Sequence, residues 1–334
     1  MTAAALEVEG LVVRFRGRDR TLQVVDGVSL AVAQGEIVAV VGESGCGKTV
    51  TAMATVGLLP AAAEVRATAI RIGGRDVYPF DRATLQQVRG KDVGFVFQEP
   101  LSALNPSMRV GHQLREVTSR HLRLSRREEN RRMIEYLDFV GIPHPEQVAR
   151  MYPHEISGGM RQRVLIAAAI ICDPLLLIAD EPTTALDVTI QAGILETLHE
   201  LRRARQLSML LVSHDLGVVA DMADRVLVMY AGRIVEAASV EELFARPAHP
   251  YTRALLQAMP TRKSDRLVEI PGSVPSFEGP QTACAFAPRC PRSTDRCTSH
   301  APELGAFDAG HRVACFHPGP DEAADPRKAR PELS

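Results

Sequence analysis

Two glycine-rich segments of this chain have the composition to hold a phosphate. The first, Gly42-Glu43-Ser44-Gly45-Cys46-Gly47-Lys48-Thr49, fits the pattern G-x-x-x-x-G-K-[ST]. Glycines let the backbone approach an anion closely, and N–H groups around Gly45 to Lys48 would ring a β-phosphate. Lys48 would reach the β- and γ-phosphates, and the Thr49 hydroxyl would ligate Mg²⁺. The second segment is Ile156-Ser157-Gly158-Gly159-Met160-Arg161-Gln162-Arg163. It joins a hydroxyl and two glycines to a basic helix start, where the partial positive charge of a helix N-terminus favours an anion. Two phosphate cradles in one chain need an explanation.

Acids complete the first cradle. Leu175-Leu-Leu-Ile-Ala-Asp180-Glu181-Pro182 ends an apolar run in two carboxylates. Asp180 is placed to hold Mg²⁺, and Glu181 to face a γ-phosphate as general base or water-orienting group. His214 follows another apolar run, Ser208-Met-Leu-Leu-Val-Ser213. A lone histidine there is ordinarily just a satisfied hydrogen bonder. Cys46, inside the loop, reads as a small filler, with a redox-sensitive exposed thiolate as the alternative. Cys172 reads as core.

The elements that must position these groups are legible as patterns. Leu6 to Phe15 and Val24 to Val32 read as short strands. Glu36 to Val41, Leu175 to Ala179 and Met209 to Val212 are continuous apolar strands, as expected for a sheet buried on both faces. The first of these runs into the glycine turn and a helix beginning near Lys48. Strands alternating with helical patterns indicate a parallel α/β core. Between Gln98 and Ser157 the pattern turns helical. Ser125-Arg-Arg-Glu128 is a capping box, followed by Met133, Ile134, Leu137 and Val140 at helical spacing. The arginines from Arg126 to Arg132 read as a solvated helix face.

Composition narrows the class. The chain has 334 residues and a formal net charge of -1, with 4% aromatics and no Trp. Neither a basic balance nor a stacking platform argues for nucleic acid. Met1 to Gly10 lacks the pattern of a signal peptide, and the apolar stretch Val164 to Ala179 is too short to span a bilayer. A soluble, cytosolic chain is expected. From about Pro247 prolines recur, periodicity fades and Cys284, Cys290, Cys297 and Cys315 appear in the spacing C-x₅-C-x₆-C-x₁₇-C. Four thiolates can bind zinc or hold a [4Fe–4S] cluster. The tight knuckles favoured by structural zinc are missing, so the wider loops suit the larger cluster better. Zinc, disulfides and free thiols are the alternatives.

In order come Phe15, the phosphate loop, Gln98 in Phe95-Val-Phe-Gln-Glu-Pro, the Ser-Gly-Gly loop, the Asp180-Glu181 strand end, Ala185-Leu186-Asp187 and His214. In this order the sequence resembles an ATP-binding cassette (ABC) nucleotide-binding subunit across roughly residues 6–245. The resemblance implies a P-loop NTPase (RecA-like) α/β core with an antiparallel β subdomain and a helical subdomain at about 99–160. The cassette would span 1–246, and a cysteine-containing extension with a flexible end 247–334. By the same resemblance Phe15 stacks on adenine, Gln98 senses Mg²⁺ and the transport subunit, His214 contacts the γ-phosphate, and Asp187 lies at a dimer interface. Ser157, Gly158, Gly159 and Gln162 would grip the nucleotide of a second ATPase subunit, a paralogue or an identical chain. Two subunits would sandwich two ATP molecules, and closure on ATP would be transmitted to two membrane permease subunits. Ile156 replaces the more usual Leu, an apolar-for-apolar change.

Two outer segments point to cargo through resemblance alone. Gln98-Glu-Pro-Leu-Ser-Ala-Leu-Asn105-Pro106, and His249-Pro-Tyr-Thr-Arg-Ala-Leu-Leu-Gln-Ala-Met-Pro260 before Ile270-Pro-Gly, are similar to oligopeptide/dipeptide importers. Taken bottom-up, Tyr251 to Met259 is merely an amphipathic helix. In that family the cysteine pattern resembles an iron–sulfur site. An ATPase subunit powering di- or oligopeptide import is therefore expected, peripheral on the cytoplasmic face of the inner membrane and served by an extracytoplasmic solute-binding protein. Nickel, glutathione, antimicrobial peptides and oligosaccharides are alternative cargoes. A soluble, non-transport ABC ATPase is the alternative of a different class, but neither a long coiled-coil insertion nor a second cassette is present.

Overall fold

The computed structural model describes residues 4–17, 20–99, 103–184, 187–258 and 270–319. Among them, two sheets and a helical region enclose two apolar clusters. The smaller, antiparallel sheet contains β1 (Leu6–Arg16), β2 (Thr21–Val32), β4 (Ala63–Arg66), β5 (Ala69–Ile72) and β6 (Arg75–Asp76), with order β2-β1-β5-β6 and β4 paired to β1. The larger sheet contains β3 (Ile37–Val41), β7 (Val93–Val96), β8 (Leu176–Asp180), β9 (Ser208–Val212), β10 (Arg225–Tyr230), β11 (Arg233–Ser239), β12 (Gly305–Asp308) and β13 (His311–Val313). Its order is β12-β13-β11-β10-β3-β9-β8-β7, parallel from β10 to β7 and antiparallel from β10 to β12.

The continuous apolar runs of β3, β8 and β9 follow from burial on both faces. Val38, Val40, Leu176, Ile178, Leu210 and Val212 join the cluster beneath the antiparallel sheet. The alternate residues Ile37, Ala39, Val41, Leu177, Ala179, Met209 and Leu211 join the other cluster, shared with the helical region. Side chains alternate across a strand, so both neighbours of each position are apolar. Each such Val, Leu or Ile contributes roughly 1.5–3 kcal/mol on burial, which makes this sheet the rigid frame.

The helical region comprises helices Val110–His121, Arg126–Phe139, Pro145–Val148 and Gly158–Ile170. Ser125 and Glu128 form the capping box anticipated from sequence, each side chain meeting the other's backbone N–H. The arginine run differs from a uniformly solvated face. Arg126, Arg127 and Arg131 are exposed, but Arg132 is half-buried, lies over the Tyr136 ring and pairs with Asp173.

The larger departure is at the C-terminus. The chain beyond Pro247 does not stand apart: β13 pairs with β11, so β12 and β13 extend the central sheet beyond β11. Two short strands carry little periodic signal, and only their pairing partner makes them strands. Pro100-Leu101-Ser102, the pair Ala185-Leu186, Met259-Pro260 and residues 320–334, where the expected flexible end falls, lie outside the described residues.

Candidate functional site

The parallel strands deliver their C-terminal ends to one edge, where open α/β sheets bind ligands. Immediately after β3 comes the glycine loop, followed by helix Lys48–Thr55. Gly42 and Gly47 are required by contact as well as by positive φ. A Cβ on Gly42 would lie 2.2 Å from the Met229 carbonyl oxygen, and one on Gly47 would lie 2.8 Å from that of Val24. Gly45 is different: its φ is +78°, but nothing lies within 4 Å of a Cβ there, so the loop's upper face is open.

Lys48 is buried and donates to the carbonyl oxygens of Gly42 at 2.9 Å and Glu43 at 3.0 Å. Two of its three N–H donors are thus turned back into the loop. Cys46 is also buried, and burial pushes its thiol up. This agrees with the reading of Cys46 as a small filler and goes against the alternative of an exposed, redox-sensitive thiolate. Glu43 is half-buried, and Ser44 is exposed at the loop rim.

Across β9, the Thr49 hydroxyl donates to Asp180 Oδ1 at 2.9 Å. Asp180 ends β8 and is 2% exposed. Desolvation raises its carboxyl to about 6, opposed by the Thr49 hydrogen bond and assisted by the charge of Glu181. A divalent cation between Thr49 and Asp180 would relieve that penalty, so this donor pair fits Mg²⁺. Glu181 holds a left-handed backbone with φ 48°, its N–H donating to the Val212 carbonyl. A non-glycine residue in that region costs of order 1 kcal/mol and is typical of functional sites. Its Oε2 accepts from Gln98 Nε2 and from Thr184 Oγ1, both at 2.8 Å, while its Oε1 lies 3.1 Å from His214 Nδ1. Thr184 was not expected from sequence. Its place in Glu-Pro-Thr-Thr, one turn beyond the acid, was the available signal.

The Ser-Gly-Gly segment opens a helix. Ser157 caps helix Gly158–Ile170, its Oγ accepting from Met160 N–H. Ser157 and Gly158 are exposed, and nothing lies within 4 Å of a Cβ on Gly158. Gly159 faces inward, where a Cβ would lie 2.7 Å from Ile190 Cγ2. Gln162 corrects the sequence reading. It is 1% exposed, and its Nε2 donates to the Pro182 carbonyl at 2.8 Å. The helical turn places it below the rim, where it links this helix to the turn after Glu181 rather than to an outside ligand. Asp187 is exposed and caps helix Val188–Arg205 through Ile190 N–H. Phe15 is half-buried in β1 opposite Leu22 and Ala63, against the antiparallel-sheet cluster.

The four late cysteines line one small cavity with His249, Phe286, Phe316 and His317. All are free thiols. Backbone N–H groups of Arg292 and His317 donate to the sulfurs of Cys290 and Cys315. Burial raises the Cys284, Cys290 and Cys315 thiols, the last to about 11, with mutual repulsion adding to it. Among the described residues no group of three or more His, Cys, Asp or Glu side chains is arranged to hold a metal ion. Sequence reasoning also missed Tyr251 and Arg289, which reach the glycine loop from the C-terminal region.

A glycine loop joined to a buried carboxylate, a polar-bridged glutamate and a separate exposed Ser-Gly-Gly helix start is the arrangement of an ABC-type ATPase. The chain belongs to the ABC transporter family, whose model matches residues 25–184. Within that family it carries the oligopeptide/dipeptide transporter C-terminal region, matched over residues 235–297. It is 44% identical over 314 residues to the oligopeptide transport ATP-binding protein AppD of Bacillus subtilis, covering 93% of this chain and 96% of that one. It is 46% identical over 320 residues to a probable peptide ABC transporter ATP-binding protein of Sinorhizobium fredii, covering 93% and 94%. A bacterial ABC transporter cassette solved as a dimer shares the fold at TM-score 0.63 and 24% identity, over 70% of this chain and 98% of that one. No helix of the described residues is long and apolar enough to cross a membrane.

Proposed function

We propose that this chain powers the import of di- and oligopeptides, working as one of two ATPase subunits beneath a pair of membrane permeases. The observation that carries the reading is the convergence of Gln98, Thr184 and His214 on Glu181, one residue from the Thr49–Asp180 pair. Peptide cargo draws support from the names of the relatives and from the C-terminal region shared with them.

In this reading Lys48 and the loop amides hold the β- and γ-phosphates, Thr49 and Asp180 hold Mg²⁺ with Gln98 nearby, and Phe15 stacks on adenine. Glu181 orients a water and takes its proton as the water oxygen bonds to the γ-phosphorus and the bond to ADP breaks. His214 moves from Glu181 to the γ-phosphate. Ser157, Gly158 and Gly159 cover the partner subunit's nucleotide, and Asp187 lies at that interface. ATP then favours the closed dimer by binding it better than the open one, and hydrolysis removes the preference. The cassette occupies 1–246 and the extension 247–334, on the cytoplasmic face of the membrane, with a solute-binding protein delivering cargo from outside.

The cysteine cavity is the proposed [4Fe–4S] site. Four convergent thiols and two N–H···S donors support a thiolate-bound group, and the missing C-x₂₋₄-C knuckles in the sequence favour a cluster over zinc. Such a group would staple the extension. Anaerobic purification with iron and sulfide assays checks it; a colourless, zinc-containing protein sinks it.

The function is tested in proteoliposomes holding this chain with its permeases and the ATPase partner. ATP-dependent uptake of labelled di- and oligopeptides is expected. Uptake of nickel, glutathione or oligosaccharide in their place overturns the cargo, and ATPase activity indifferent to the permeases overturns the transport role.

A further inference from the structure

The glycine loop is held from behind by the C-terminal extension. The Tyr251 hydroxyl accepts a hydrogen bond from the Glu43 N–H at 2.8 Å. The Arg289 guanidinium grips the Glu43 carboxylate in a fork, Nη1 to Oε2 at 2.7 Å and Nη2 to Oε1 at 2.9 Å. The remaining donors are used as well. Nε meets the Pro271 carbonyl, Nη1 the Tyr230 hydroxyl and Nη2 the Ile270 carbonyl. Five N–H groups thus have five acceptors, and the Arg289 side chain is only 6% exposed.

A saturated, buried fork is a directional contact, not a loose surface pair. Its second end is equally fixed. Phe286, three residues earlier, packs edge-on against Tyr230 and beside Tyr251, and Cys290, the next residue, belongs to the cysteine cavity. On the loop side, the Glu43 carbonyl accepts from Lys48 Nζ. The Glu43 peptide therefore connects Arg289 and Tyr251 to Lys48, the lysine that meets the phosphates in the proposed function.

We propose that Arg289 and Tyr251 are positioning residues of the nucleotide site, setting the Glu43 peptide and through it the resting place of Lys48. The extension is then part of the ATP site rather than an appendage. Whatever orders the Cys284–Cys290 turn also orders Arg289. This rests on the reading of the glycine loop as the ATP cradle.

The test is titration of the full-length chain with a fluorescent ATP analogue, for wild type, Tyr251→Phe, Arg289→Lys, Arg289→Met, Glu43→Gln and the Glu43→Gln/Arg289→Met pair. Tyr251→Phe keeps the buried ring and removes only the acceptor. Arg289→Lys keeps the charge and loses the fork. Arg289→Met is expected to weaken binding about tenfold, equivalent to ~1.4 kcal/mol. Arg289→Lys and Tyr251→Phe should lose a few-fold each, and the paired variant no more than Arg289→Met alone. A purely structural staple would lower thermal stability with affinity within about twofold of wild type, or give additive losses in the pair; either overturns the proposal. Should Arg289→Met not fold, Arg289→Lys and Tyr251→Phe decide it. Failure of wild type to bind, or equal binding by Lys48→Ala, would instead sink the ATP reading.

Discussion

Glu181 and His214 meet at 3.1 Å, carboxylate Oε1 to imidazole Nδ1, across the ends of adjacent strands β8 and β9. Glu181 is well covered, with 11% of its side chain exposed, whereas His214 is 57% exposed. One partner is packed within the strand ends and the other lies at the surface. That asymmetry suits a base held in place and a histidine that exchanges its carboxylate for a phosphate.

Glu181→Gln preserves shape and the hydrogen bonds to Gln98 and Thr184 but removes the base. Turnover should fall by roughly 10²–10⁴-fold while ATP binding persists. Size-exclusion chromatography with Mg·ATP should show a trapped dimer. Persistent hydrolysis would remove Glu181 from this role.

Asp180 gives a pH signature. Its carboxyl is raised to about 6 by desolvation, so the folded chain holds a proton that the unfolded chain has released. Stability therefore falls as pH rises from the ordinary aspartate range through about 6. Asp180→Asn is indifferent to that change and keeps an acceptor for Thr49. With Mg²⁺ chelated, the variant should be the more stable by about 2 kcal/mol above pH 7, with the gap closing below pH 5. Denaturant midpoints at both pH values measure it, and a gap that widens on acidification contradicts it.

Ser157→Arg tests the exposed cradle. Loss of the helix cap costs about 1 kcal/mol, too little to unfold the chain. Nucleotide binding by the isolated subunit should survive, because in the proposed function Ser157 serves a partner's nucleotide and not its own. Mg·ATP turnover by the assembled pair should stop. Equal loss of binding by the isolated chain would place Ser157 in its own site.

Gly42→Ala and Gly45→Ala separate contact from conformation. At Gly42 a methyl group meets a main-chain oxygen at 2.2 Å, and at Gly45 it meets open space. Gly42→Ala should lose about 2 kcal/mol or more, the scale of overpacking. Gly45→Ala should lose about 1 kcal/mol, from backbone conformation alone. Urea unfolding of both variants gives the comparison, and equal losses would contradict the contact argument.

The sequence by itself determined the local parts. Apolar runs specify the buried strands β3, β8 and β9, glycine spacing specifies the loop after β3, and Ser125 with Glu128 specifies a helix start. These are short-range signals, written in neighbouring residues whose backbone preferences and burial act within one element. Tertiary structure decided the rest. Gln98 and Glu181 are 83 residues apart in sequence, and Glu43 and Arg289 are 246 apart. No periodicity encodes such pairs, because they exist only when packing brings separate strand ends and turns together. The inward turn of Gln162, the burial of Cys46 and the pairing of β13 with β11 have the same origin. Helix phase, loop thickness and a free sheet edge settle them, and each is a property of the assembled core.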